Sequence, residues 1–170
     1  MKNFSKILMT IALVAVAALI LSTAAFGASD SKTLTINATI SARAELVLAP
    51  TTINFPDANP STVASVPADN PVAVTARIRT GRATAATLTV TSAADLTSGS
   101  DTIPISNVSW TASAGPFIAG TMNKATPQSA ATFANGSGLF SGTFNFLLAN
   151  SWTYNTGAYT ATVTYTLTAP

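Results

Sequence analysis

The side chains that usually carry chemistry are scarce in this sequence. Its 170 residues include no histidine and no cysteine. Without His there is no Ser-His-Asp triad, no imidazole base and no imidazole metal ligand. Without Cys there is no thiol nucleophile, no thiolate zinc site and no redox pair. Six carboxylates remain: Asp30, Glu45, Asp57, Asp69, Asp95 and Asp101. A glycosidase sets two carboxyl groups across one cleft, and calcium takes several oxygen ligands close together. Asp57-Ala58-Asn59 and the span from Asp95 to Asp101 are the local candidates. Both are explained as turns, where Asp and Asn bond their own backbone. The sequence therefore predicts no enzyme, no catalytic residue, no metal site and no cofactor.

Two other groups could meet a partner. Arg77, Arg79 and Arg82 form the single charge cluster. Guanidinium groups pair bidentately with anionic sugars or phosphates, but alternating charges on an exposed strand face also discourage edge pairing. The second reading is preferred, since no aromatic or second basic strand accompanies the cluster. Trp152 and Tyr154 stand two apart beside Asn150 and Asn155, in a loop before the last strand. They are candidate carbohydrate contacts, with a packed corner closing the end of the fold as the plainer account. Trp110, inside a strand pattern, is expected in the core.

The N-terminus reads as an export signal. Lys2 and Lys6 supply a positive start, Ile7 to Leu21 an apolar run, and Ala25-Phe26-Gly27 a small-x-small cleavage site. That run of 15 residues is short of the ~20 needed to span a bilayer. We expect residues 1–27 to be removed, leaving a single domain over 28–170 in the periplasm, at the cell surface or outside the cell, with no membrane span. The formal charge of +2 then changes. Six basic residues (Lys32, Arg43, Arg77, Arg79, Arg82, Lys124) balance six acidic ones, 6 − 6 = 0. A neutral domain has no general electrostatic reason to bind nucleic acid or an anionic membrane. It also has no disulfides, so packing, hydrogen bonds or pairing with another chain must hold it. Sparse charge and zero net charge favour association.

The elements read as strands throughout. From Thr33 to Arg43, Leu34, Ile36, Ala38, Ile40 and Ala42 alternate with polar residues, the pattern of a strand with one buried face. Leu46-Val47-Leu48 extends that pattern to Pro50. Thr52 to Phe55 reads as a short strand, and the Pro-rich stretch from Pro56 to Pro71 as a surface loop. Val72 to Arg79 is a strand, with Ala86 to Ser92 its expected antiparallel partner. Ser98 to Asp101 is a turn, and Val108 to Thr111 continues the strand pattern. Pro127 to Gly138 is the least patterned segment and the expected site of greatest mobility. In Leu139 to Leu148 the rings of Phe140, Phe144 and Phe146 are in phase, and Gly142 could host a bulge. Tyr159 to Leu167 alternates apolar residues with threonine without error. No mature segment has a 3.6-residue apolar period. The expectation is an all-β, immunoglobulin-like or Greek-key β-sandwich of about seven to nine strands, preferred over a membrane barrel.

The ending Gly157 to Pro170 resembles the C-terminus of WxL-domain proteins, with Tyr165-Thr166-Leu167 in the Trp-x-Leu place before a terminal Ala-Pro. Val108 to Ala112 resembles the first Trp-x-Leu motif with Ala for Leu, and Leu46 to Phe55 the family's Pro-containing early segment. This resemblance implies a bacterial surface protein that attaches to cell-wall polysaccharide. The whole chain is also similar to fimbrial subunits and spore coat U-type domains: signal peptide, alternating N-terminal segment, β-sandwich, aromatic last strand. That similarity implies a pilus-like subunit whose N-terminal segment completes a neighbour's sandwich. Leu34, Ile36, Ala38, Ile40 and Ala42 are then the candidate strand-exchange residues. The expected partners are further copies or related surface subunits, or cell-wall polysaccharide.

Overall fold

The computed structural model describes residues 27–81, 84–134 and 136–170. The chain divides into residues 1–38 and residues 39–170. The expected export signal therefore lies outside the described residues, save Gly27. Of the first unit, residues 27–38 form no helix or strand.

The second unit is a sandwich of antiparallel strands. Its larger sheet runs β1 (Arg43–Ala49), β3 (Val72–Arg79), β10 (Gly138–Ala149), β7 (Val108–Ala112) and β8 (Gly120–Thr121), with β2 (Ser65–Pro67) also on β10. The smaller sheet runs β11 (Val163–Thr168), β4 (Ala86–Ser92) and β9 (Gln128–Phe133). A hairpin of β5 (Leu96–Ser98) and β6 (Asp101–Ile103) turns through Gly99. Of the seven strands of five residues or more, six fall in segments the sequence pattern marks and one, β9, does not; β2, β5, β6 and β8 are two or three residues long.

The core follows from period two. Val72, Val74, Ala76 and Ile78 of β3 and Leu88 and Val90 of β4 face each other and are buried, while Ala73, Arg77 and Arg79 stay exposed. On β10, Phe144 and Phe146 are buried on the same face as Phe140. Trp110 is buried, as expected, and its indole N–H donates to the Ile118 carbonyl at 2.8 Å.

Several expectations are corrected. β3 and β4 are not partners: β3 lies between β1 and β10, and the chain crosses to the opposite sheet before β4. Arg77 thus sits on an interior strand and pairs with Glu45 across β1, so it guards no edge. Thr52 to Phe55 forms no strand; Asp69 caps it instead, accepting from the Asn54 backbone N–H at 3.0 Å and its side-chain amide at 2.8 Å. Residues 127–138 contain β9, whose Ala130, Ala131 and Phe133 are buried; small residues hid a core strand. Gly142 keeps regular pairing, and the irregular register falls between β4 and β9, at Leu88/Thr89. Residues 33–42 form no strand with a buried face: Leu34, Ile36 and Ile40 are 81%, 83% and 70% exposed. The last strand begins at Val163 rather than Tyr159, because Thr160 pairs with Thr97 of the hairpin instead.

Candidate functional site

The two long sides of the sandwich are built differently. On one side, residues 113–123 staple the sheets together. The Ile118 N–H donates to the Ala130 carbonyl at 2.9 Å and the Met122 N–H to the Val108 carbonyl at 2.8 Å. Phe117 enters the core edge-on to Phe133 and Phe144, each with centroids 5.8 Å apart. Two glycines make room. A Cβ on Gly142 would lie 2.5 Å from the Phe117 ring, and one on Gly120 would lie 2.4 Å from the Trp110 ring. Gly142 is thus an inward position filled by the ring of another residue.

The other side is unfinished. β1 pairs only with β3, and β11 only with β4, so each presents an edge of unpaired backbone groups. Such edges template further strands unless they are guarded. At one end of this side, where Leu48 of β1 and Val163 and Tyr165 of β11 meet residues 50–55 and 157–161, lies a groove of about 670 Å³, lined by Leu48, Ile53, Phe55, Phe146, Val163 and Tyr165 among others. This volume is within the range of about 300–1,000 Å³ typical of ligand clefts. The inward residues of β1 and β11, Leu46, Leu48, Tyr165 and Leu167, are half-buried rather than buried.

Tyr165 is the most unusual group there. Its ring stacks on Phe144, 5.9 Å between centroids and 16° between planes. Its hydroxyl is the one buried side-chain polar atom among the described residues without a hydrogen-bond partner. Burial holds the phenol above its ordinary pKa, so it stays protonated. At the groove's rim Tyr159 donates to the Asn155 carbonyl at 2.9 Å, and Asn155 donates to Asp101 at 2.7 Å. Burial and then the Asp101 charge raise the Tyr159 pKa.

Asp95 and Asp69 have structural partners. Asp95 accepts from the Ile105 N–H at 2.9 Å and from Lys124. The Lys124 hydrogen bond, and then the Ile105 N–H, hold its carboxyl below the usual range. Asp69 is likewise lowered, by the Asn54 backbone N–H first. Trp152 and Tyr154 are not equivalent. The Tyr154 hydroxyl accepts from the Asn107 amide at 2.8 Å and donates to the Ala149 carbonyl at 3.1 Å, which makes it a corner tie. Trp152 is 72% exposed, with its N–H donated to the Ser61 hydroxyl at 3.1 Å.

No protein-family model matches the chain, and no curated protein matches it.

The groove escapes sequence reasoning because its walls are distant in the chain. One trace of it was legible: threonines alternate perfectly along β11, yet nothing in the sequence tells that the apolar face of that strand is only half covered.

Proposed function

We propose that this protein is a non-enzymatic structural subunit that associates with further copies of itself at the surface of a bacterial cell, through donation of the segment Thr33 to Ala42. One observation carries the reading: a chain with two unpaired strand edges and an apolar groove at one end of them also exposes a segment with alternating apolar side chains. Backbone bonds to the free edges and burial of alternate side chains are the two ingredients of strand addition. Burying one Ile side chain contributes about 1.5–3 kcal/mol, so Ile36 and Ile40 together supply a substantial part of the association.

Donation to a neighbour is favoured over folding back. Between Ala38 and Arg43 lie Thr39, Ile40, Ser41 and Ala42, with no Gly, Pro, Asn or Asp to reverse the chain before β1 begins. A hairpin onto β1 needs such a reversal. The mature protein should form multimers that persist in mild denaturant, and the double variant Ile36→Asp/Ile40→Asp should run as a monomer in size-exclusion chromatography with light scattering. Identical monomeric profiles for both would end this reading.

A second reading, contact with a neutral cell-wall polysaccharide, is favoured by Trp152 alone. An exposed indole beside hydroxyl groups suits the face of a sugar ring. Retention on peptidoglycan unchanged by Trp152→Ala would remove it.

A further inference from the structure

We infer that copies of this domain meet end to end, the basic end of one against the acidic end of the next. The inference rests on the self-association reading and adds to it the two surfaces that meet and their polarity.

Charge is sorted along the strands. Arg43 opens β1 and Arg79 closes β3, and the register sets them directly opposite, with Glu45 and Arg77 the next pair on the same outward face. All four are exposed. Glu45 pairs with Arg77, which leaves Arg43 and Arg79 without an acidic partner among the described residues. Three guanidinium groups against one carboxylate give this end a net charge of +2. The far end of the eight-residue β3, about 23 Å away, is acidic. Asp69 bonds Asn54 just before β3 begins, and Asp57 precedes Ala58, whose carbonyl accepts from Asn150 just past β10 at 3.0 Å. Asp101 of the hairpin accepts from Asn155, and Asp95 follows β4. Lys124 answers Asp95, while Asp57, Asp69 and Asp101 have no cationic partner among the described residues. Four carboxylates against one ammonium leave a net charge of −3.

Like charges directly opposite across a strand pair are destabilising, so Arg43 and Arg79 cost the lone domain stability that an anionic surface would restore. The mature chain has no net charge, so copies do not repel as wholes and local complementarity sets their orientation. Basic against basic, or acidic against acidic, brings like charges together. The contact is therefore heterologous and yields a row or ring of copies rather than a two-fold pair. The same polarity suits the alternating segment. It joins the domain at Arg43, at the basic end, whereas the groove opens at the acidic end, where Asn54 and residues 157–161 line it. An end-to-end contact sets the root of one copy's segment beside the groove of the next.

Reversing the charge of each end in the full mature chain tests this. Arg43→Glu/Arg79→Glu makes the first end acidic, and Asp57→Lys/Asp101→Lys makes the second basic; Asp69 and Asp95 are kept because they hold local structure. At ~20 mM salt, where screening is weak, light scattering should show each variant alone associating at least about tenfold more weakly than wild type. An equimolar mixture of the two should recover, since every contact between unlike copies is again complementary, and so should the quadruple variant. Wild-type association by either variant alone, or no recovery in the mixture, would overturn the end-to-end assignment while leaving strand donation, read from Ile36→Asp/Ile40→Asp, standing. A wild-type protein that stays monomeric would overturn both. If circular dichroism shows that a reversed chain does not fold, Arg43→Gln/Arg79→Gln and Asp57→Asn/Asp101→Asn read the same contact. Wild-type association should weaken as salt rises and theirs should hardly change; equal salt dependence would contradict the assignment.

Discussion

The closed and open sides of this sandwich face the same problem, how to finish the edge of a two-sheet core, and treat it differently. On the closed side, the chain spends eleven residues on a staple that bonds to both sheets and drives Phe117 over a glycine into the core. On the open side no segment bonds the free edges of β1 and β11 within the described sandwich, and apolar side chains line a groove instead. Both sides use the same small vocabulary of threonine, alanine and aromatic residues. The difference teaches that one edge of the core is completed by the chain's own staple while the other keeps two unpaired strand edges, which is where the proposed association would act.

The largest effect should come from the closed side. Phe117→Ala removes a ring that contacts Phe133, Phe144 and Gly142, and such truncations of buried aromatics cost about 3–5 kcal/mol. Urea unfolding of the Ile36→Asp/Ile40→Asp background measures this without assembly. Gly142→Ala sharpens the same point by overfilling rather than emptying, since its Cβ would meet the Phe117 ring at 2.5 Å; about 1–3 kcal/mol of destabilisation is expected. A loss under about 0.5 kcal/mol for Phe117→Ala, within the range of ordinary surface substitutions, would break the comparison.

On the open side the sign reverses. Tyr165→Phe removes a hydroxyl that has no partner, so in the same background it should leave stability unchanged or raise it by about 1 kcal/mol. A destabilised monomer would mean that the hydroxyl is already satisfied.

Acid should act gently on the groove wall. The Asn54 N–H holds the Asp69 carboxyl below its ordinary value of 3.8, and Asp69 in turn fixes residues 52–55. A carboxylate with a depressed folded pKa contributes its full stability above the unfolded pKa and loses it as pH falls through the folded one. Stability should therefore decline below about pH 4, and Asp69→Asn should flatten that part of the profile. Unfolding midpoints measured from neutral pH down to acid, with no difference between the two proteins, would contradict it.

Much of the architecture was legible in the sequence, since alternation is a direct image of a half-buried strand. β3, β4, β10 and the body of β11 follow it. The failures have common causes. β9 is built from Ala130, Ala131 and Phe133, too small and too few to produce a period. The alternation of Leu88 and Val90 between threonines makes β4 a strand but does not say which strand it pairs with, and the connection from β3 crosses between sheets. Residues 33–42 have the pattern of a strand with one buried face, and that pattern records which side chains suit burial, not what buries them. Trp152 and Tyr154 look alike in sequence; only the hydroxyl bonds of Tyr154 separate a corner tie from an exposed ring.

Hydrogen exchange on the mature protein tests the central claim most directly. The amides of residues 34–42, and those of β11 that do not bond β4, should be protected in the wild-type protein and exchange rapidly in the Ile36→Asp/Ile40→Asp variant. Equally rapid exchange in both proteins would contradict the account, for it would mean that the open edge and the alternating segment stay unpaired in solution.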